Sequence, residues 1–436
     1  MCGMSDIQLE PITRPFDLTI TPPGSKSLTN RALVLAALGD GQSELSNVLF
    51  ADDTLVMLEG LTRLGFHVEI DRPLSVVRVD GAGGEIPAAG AEPFCGNSGT
   101  TIRFLAALTA LGRGRFNLDG IGRMRQRPIG QLVELLRNLG ARIEYVLTEG
   151  FPPIDVMADG LAGGLARFGG AQSSQFLSGV LQVAPYARHE VRVDLDGPQT
   201  SWPYVAMTMR LMDEFGVTPE LVRDAVTGEP RQIIIPREHY RATNYTIEPD
   251  ASNAAYFLAA AAIHPGSSVT IEHLGKHSLQ GDVGFADVLR RMGADVRVDT
   301  DSITASGTGL LRGIDIDLST MPDQAQTLAV VALFADGETI IRGLHTLRLK
   351  ETDRIAAVAT ELGKLGADVA VDGDDLIIHP PDRIRPASID TYDDHRMAMS
   401  FALAGTKAAG VTIKDAECVC KTYPTYFEDL NRLRSG

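Results

Sequence analysis

The sequence predicts an α/β protein of two domains, each holding three copies of one repeated unit, and three observations lead to that expectation. At 436 residues the chain exceeds what one hydrophobic core ordinarily organises. An amphipathic helix that ends in an apolar residue and glycine, usually followed by a short alternating strand, recurs at Gly65, Gly140, Gly216, Gly293 and Gly366, which are 75, 76, 77 and 73 residues apart. In phase with it runs a strongly apolar helix followed by a turn and a strand, from NRALVLAALGDGQSEL through TIRFLAALTALGRGRFNL to HRMAMSFALAGTKAAGVTI near the C-terminus.

Each element has a physical reason. The apolar helices have no polar face and belong inside a core. The Gly-terminated helices carry an apolar stripe only and cover that core from outside. The strands alternate and supply short sheets, giving an α/β layer arrangement repeated six times. A period this long is no solenoid repeat, so two closed groups of three units are expected. The last copy of the Gly-terminated helix, YFEDLNRLRSG, ends the chain at Gly436. The strand-like IQLEPI at the start has no unit of its own and is expected to pair with the later half. That makes residues 1–22 plus 247–436 one discontinuous domain and residues 23–246 an inserted one, with the chain crossing near Pro22 and Thr246.

Composition narrows the class. Apolar residues are 44% and charged residues 22%, and no apolar run suits a bilayer crossing. The opening MCGMSDIQLEPITRP lacks a secretory or organelle-import pattern, so a cytoplasmic protein is expected. The net charge of −16 argues against nucleic acid or an anionic membrane as partner. Cys2, Cys95, Cys418 and Cys420 lack metal-ligand spacing, and structural or inert thiols are expected rather than a disulfide framework.

Polar residues gather where each apolar helix begins: Ser25, Lys26, Ser27 and Arg31; Asn97, Ser98, Gly99, Thr100 and Arg103; Ser173, Ser174 and Gln175; Asp250, Ser252 and Asn253; Asp323 and Gln324; Asp394, His395 and Arg396. Capping accounts for the hydroxyls and carboxylates. It does not account for Lys26, Arg31, Arg103 and Arg396, because a cation at a helix N-terminus opposes the helix dipole unless an anion lies between. TPPGSKSLTNR resembles a phosphate-binding loop but lacks the first glycine of the nucleotide-binding pattern, so the expected anion is not a nucleoside triphosphate. IGRMRQRPIG adds Arg123, Arg125 and Arg127. LRLKETDRI adds Arg348, Lys350, Glu351, Asp353 and Arg354, with Lys350 and Arg354 on one face if the segment is helical. A carboxylate among such cations can move a proton while the cations hold a phosphate or carboxylate.

The blocks PGSKSLTNRALVLAAL, GNSGTTIRFLAAL, RQRPIGQLVELL, SSQFLSGVLQ, KETDRIAAVATEL and DDHRMAMSFAL, in order from Pro22 to Tyr426, resemble the 5-enolpyruvylshikimate-3-phosphate synthase family of enolpyruvyl transferases. The resemblance implies two domains of three βαβαββ units each, an inside-out α/β barrel-like arrangement with the active site in the interdomain cleft. It implies transfer of the enolpyruvyl group of phosphoenolpyruvate to the 5-hydroxyl of shikimate 3-phosphate, with release of phosphate, in the shikimate route to chorismate and aromatic amino acids. No metal or organic cofactor is implied, and a monomer inhibited by glyphosate is expected. By the same resemblance, shikimate 3-phosphate is held by Lys26, Ser27, Arg31, Ser173, Ser174, Gln175, Ser201, Asp323 and Lys350. Phosphoenolpyruvate is held by Lys26, Gly99, Arg127, Gln175, Arg354, Arg396 and Lys421. Asp323 resembles the acceptor of the hydroxyl proton and Glu351 the group that protonates the methylene carbon, with Lys26 and Lys350 holding charge near them.

One position departs from the pattern. Some members carry Asn where this chain has Thr346, so a contact to the shikimate ring there is in doubt. Gly99 matches the glyphosate-sensitive form. The sister family that acts on UDP-N-acetylglucosamine typically has a cysteine in the loop equivalent to GRGRFNLDGIGRMRQRPIG, which contains none. A silent anion-binding protein would gain nothing from Asp323 and Glu351.

Overall fold

The protein is described by a computed structural model covering residues 6–169 and 172–435. Among the described residues twelve α-helices follow one another: α1 (Lys26–Leu38), α2 (Asp52–Arg63), α3 (Gly99–Thr109), α4 (Gly130–Asn138), α5 (Ser174–Val183), α6 (Trp202–Glu214), α7 (Ala251–Ile263), α8 (Phe285–Met292), α9 (Ala325–Ala332), α10 (Arg354–Lys364), α11 (His395–Lys407) and α12 (Tyr426–Arg432). The odd-numbered helices are the apolar ones. Every residue of α3, α7 and α9 is buried, and so is all of α11 except Lys407. The even-numbered helices bury one stripe: in α8 it is Phe285, Ala286, Val288, Leu289 and Met292, one face of a 3.6-residue period.

The chain forms two compact units, Gly24–Ile247 and Met1–Pro23 with Glu248–Gly436. In the first, α1, α3 and α5 pack on one another. In the second, α7, α9 and α11 do the same. Each unit thus has helices at its centre, and its sheets lie against them.

The sheets repeat one topology. In the α3 repeat, Gly90–Ala91 runs parallel to Arg113–Leu118, which pairs antiparallel with Ile154–Asp159, which pairs antiparallel with Arg142–Tyr145. The parallel pair is joined through the buried helix, as a parallel connection requires. The same order recurs around α5 and α9.

Two repeats exchange their first strand. Asp17–Ile20 leads into α1 but pairs parallel with Ser268–Glu272, the strand after α7, in register Asp17 to Ser268. Asn244–Thr246 leads into α7 but pairs parallel with Asp40–Ser46, the strand after α1, in register Asn244 to Glu44. Ile7–Gln8 pairs antiparallel with Val411–Ile413, as its orphan position in the sequence suggests.

The recurring glycines have one cause. Gly65, Gly140, Gly216, Gly293 and Gly366 all have φ between +89° and +113°, the left-handed conformation that ends a helix and turns the chain into the next strand. Gly436, which ends the sixth helix in the sequence, lies outside the described residues. The cysteine expectation needs correction: Cys420 is disulfide-bonded, whereas Cys95 and Cys418 are free and Cys2 lies outside the described residues. No helix among the described residues is long and apolar enough to cross a membrane.

Candidate active site

Five buried helices begin with a side-chain cap: Ser25, Ser98, Ser173, Asp250 and Asp394 each accept from a backbone N–H of α1, α3, α5, α7 and α11. Capping therefore explains these residues. The cations beside them are explained differently in each unit.

In the unit Gly24–Ile247, Lys26 opens α1 and its ammonium lies 3.2 Å from the Asp53 carboxylate at the start of α2. Arg31, one turn further, is fully buried. Its Nε donates to Thr208 Oγ1 at 2.7 Å, and its other nitrogens donate to the Ser27 carbonyl at 3.0 Å, Ser178 Oγ at 3.2 Å and the Tyr204 carbonyl. Burial lowers its pKa to about 10, which leaves it cationic at neutral pH. Hydroxyls and carbonyls rather than a carboxylate thus satisfy its donors. At the start of α3 and α5, Arg103 donates to the Gln175 side-chain oxygen, and the Gln175 amide donates to Thr100 Oγ1 at 3.0 Å. Ser174 is buried beside its cap Ser173, and Ser201 enters α6 with φ +52°, a strained conformation for a side chain with a Cβ.

The loop of three arginines divides. Arg125 pairs with Asp119 and stays exposed, and Arg123 donates to the Gln126 side-chain oxygen at 3.2 Å. Arg127 alone is buried: its NH1 donates to the Asn97 carbonyl at 3.1 Å, while its Nε has no hydrogen-bond partner among the described residues. Its guanidinium covers Gly99, where an added Cβ would come within 2.5 Å of the NH2 nitrogen.

In the other unit the site is an ion-pair cluster built from four chain segments. Asp323 sits in the 3-10 turn Pro322–Gln324 before α9 and caps no helix. One carboxylate oxygen meets Lys350 at 3.3 Å and Arg354 at 3.0 Å, and the other meets Arg396 at 3.2 Å. Burial pushes its pKa up, but Arg396, Lys350 and Arg354 outweigh burial and hold it well below the usual carboxylate range. Arg354 is buried and touches three carboxylates. Its Nε and NH2 grip Asp394 at 2.6 and 3.1 Å, NH1 donates to Asp323 and NH2 donates to Glu351 at 2.9 Å. Glu351 is shared in turn with Lys421, at 2.9 Å, from the 3-10 turn Ala416–Lys421. Burial lowers the Lys350 pKa, against the pull of Asp323.

One expectation changes. Lys350 and Arg354 do not share a helix face: Lys350 follows the 3-10 turn His345–Leu349 in extended conformation and Arg354 is the first residue of α10. They converge because both reach Asp323. Thr346 is buried, and its hydroxyl has no hydrogen-bond partner among the described residues. The reading of the sequence missed Asp53, which looked like an ordinary acid at a helix start, and Asp282, which carries no local pattern.

Chemically, the second cluster presents two carboxylates, both within reach of cations that can bind oxyanions in pairs. Known proteins resemble the whole chain. The family model for EPSP synthase (3-phosphoshikimate 1-carboxyvinyltransferase) matches residues 12–430. The 3-phosphoshikimate 1-carboxyvinyltransferase of Vibrio vulnificus (strain YJ016) is 45% identical over 433 residues, covering 99% of both chains. That of Nostoc punctiforme (strain ATCC 29133 / PCC 73102) is 45% identical over 424 residues, covering 97% of this chain and 98% of its own. An EPSP synthase structure from Acinetobacter baumannii superposes with a TM-score of 0.83 at 27% identity, covering 99% of this chain and 98% of that one.

Proposed function

The chain belongs to the EPSP synthase family of 3-phosphoshikimate 1-carboxyvinyltransferases, and on that premise we propose which of its side chains carry the reaction. The enzyme transfers the enolpyruvyl group of phosphoenolpyruvate to shikimate 3-phosphate and releases phosphate.

Asp323 takes the proton of the 5-hydroxyl as its oxygen attacks C2 of phosphoenolpyruvate. Glu351 delivers a proton to the methylene carbon, giving a tetrahedral adduct with a methyl group. Glu351 then recovers a proton from that methyl as the C–O bond to phosphate breaks, which restores the double bond and protonated Glu351, and the hydroxyl proton held by Asp323 leaves with the released phosphate, which restores the Asp323 carboxylate. The observation that carries this reading is the cluster around Asp323. A carboxylate held ionised by three cations is an acceptor, but a weak base. The phosphate and carboxylate of phosphoenolpyruvate compete for Arg354, Arg396 and Lys421, so substrate binding draws charge away from Asp323 and Glu351 and makes them more basic when the reaction needs it. The acid limb of kcat accordingly lies at higher pH than that of kcat/KM.

Lys26, Gly99, Arg127 and Gln175 complete the phosphoenolpyruvate set. Lys26, Ser27, Arg31, Ser173, Ser174, Gln175, Ser201, Asp323 and Lys350 bind shikimate 3-phosphate, and Lys26 also steadies charge in the reaction. The partnerless Nε of buried Arg127 and the hydroxyl-held cation of Arg31 support these roles, since both leave positive charge for an anion. We further propose a cytoplasmic monomer in which glyphosate competes with phosphoenolpyruvate, so that raising phosphoenolpyruvate relieves inhibition.

The test is phosphate release from phosphoenolpyruvate with shikimate 3-phosphate in one assay and UDP-N-acetylglucosamine in another. Release is expected in the first alone, and Asp323→Asn and Glu351→Gln should each lower kcat by about 10²- to 10⁴-fold with KM changed far less. Near wild-type turnover in either variant would remove that residue from its role.

A further inference from the structure

Asp282 is a buried carboxyl in the 3-10 turn Gly281–Gly284, outside every contact assigned above. Its Oδ2 accepts from the Ser252 hydroxyl on the first turn of α7 and from the Gln324 side-chain amide at 2.9 Å. Gln324 is the residue after Asp323 in the same turn, so this bond fixes the segment that presents Asp323. The contacts run from α7 through Asp282 to Gln324, and Asp323 is then met by Lys350, Arg354 and Arg396.

We infer that Asp282 is a positioning residue for the proton acceptor: through Gln324 it sets the orientation of Asp323, and its negative charge offsets part of the pull of the cations on Asp323. The inference rests on the role proposed for Asp323. The charges facing the pair are Asp323 and Arg396 around Asp282, and Lys350, Glu351, Arg354 and Arg396 around Asp323. Burial, and then repulsion from Asp323, raise the Asp282 pKa against the hydrogen bond from Ser252. The repulsion is mutual. An ionised Asp282 makes a proton more welcome on Asp323, and its protonation as pH falls removes that help. Both oxygen-directed donors, Ser252 and Gln324, favour the ionised form.

Asp282→Asn keeps the volume, removes the charge and leaves the amide facing two donors. It should lower kcat roughly tenfold, as small misplacements of a reacting group do, with KM for both substrates within about twofold. Its kcat acid limb should move to lower pH by about half a unit, because Asp323 has lost a repelling neighbour. Gln324→Leu removes the tether but keeps the charge, so it should reproduce the fall in kcat with the limb unmoved. A purely structural role would lower thermal stability and leave the limb in place. An unmoved limb in Asp282→Asn, or wild-type kcat in Gln324→Leu, overturns the inference; if Asp282→Asn does not fold, Gln324→Leu decides by the kcat-against-KM split. Wild-type turnover in Asp323→Asn would instead overturn the role of Asp323 itself, which keeps the two failures apart.

Discussion

At Asp323, three cations and a buried setting act in opposite directions, and the cations prevail. A carboxyl whose folded pKa lies below its unfolded value stabilises the fold fully above the unfolded value, about 3.9, and loses that contribution as pH falls through the folded one. The gap in melting temperature between wild type and Asp323→Asn should therefore be widest above about pH 4 and close below it, as thermal scans across pH would record. Gly99 is a second residue-scale case. Gly99→Ala places a methyl against the Arg127 guanidinium at 2.5 to 2.9 Å, so Arg127 must shift. Steady-state kinetics should show KM for phosphoenolpyruvate raised several-fold, with glyphosate inhibition weakened more strongly. At this scale the sequence was partly legible. The cations at helix starts stood out because they oppose the dipole, whereas Asp53 and Asp282 act on residues 27 and 42 positions away in the chain and leave no local trace. Lys350 and Arg354 share no helix face because the condition for it fails: a 3-10 turn ends before Lys350 and α10 begins only at Arg354.

At the scale of the element, each repeat depends on a helix ending where a strand must begin. Gly293 closes α8 at φ +113°, and a Cβ there would lie 2.6 Å from the Leu310 carbonyl. Gly293→Ala should destabilise the protein by about 1–2 kcal/mol in urea denaturation while leaving kcat unchanged, since none of the residues proposed to bind substrate lies on α8. The helices were legible because two signals coincide in them. Buried helices such as α7 carry no polar face, and their partners carry a stripe that stops at a glycine. The strands were harder, being short and set by pairing: nothing local in Asn244–Thr246 says that its partner is Asp40–Ser46, some 200 residues earlier.

At the scale of the whole molecule, six similar units supply very different chemistry. An acidic chain of net charge −16 concentrates cations at the starts of particular helices and turns, and in the unit containing α7 to α12 these gather around Asp323 and Glu351. The repeat is what made the architecture readable, because a period near 75 residues implies a subdomain that closes with its neighbours. The exchange of first strands between the α1 and α7 repeats follows from chain connectivity and was visible only as one orphan strand at the N-terminus. The central claim is that Glu351 moves the proton at carbon while Asp323 takes it from oxygen. Deuterium entering the methylene of recovered phosphoenolpyruvate and of product during turnover in D2O tests it most directly. Wild type should incorporate deuterium in the presence of shikimate 3-phosphate, and Glu351→Gln should bind both substrates yet incorporate almost none. Incorporation at the wild-type rate in Glu351→Gln would contradict the account.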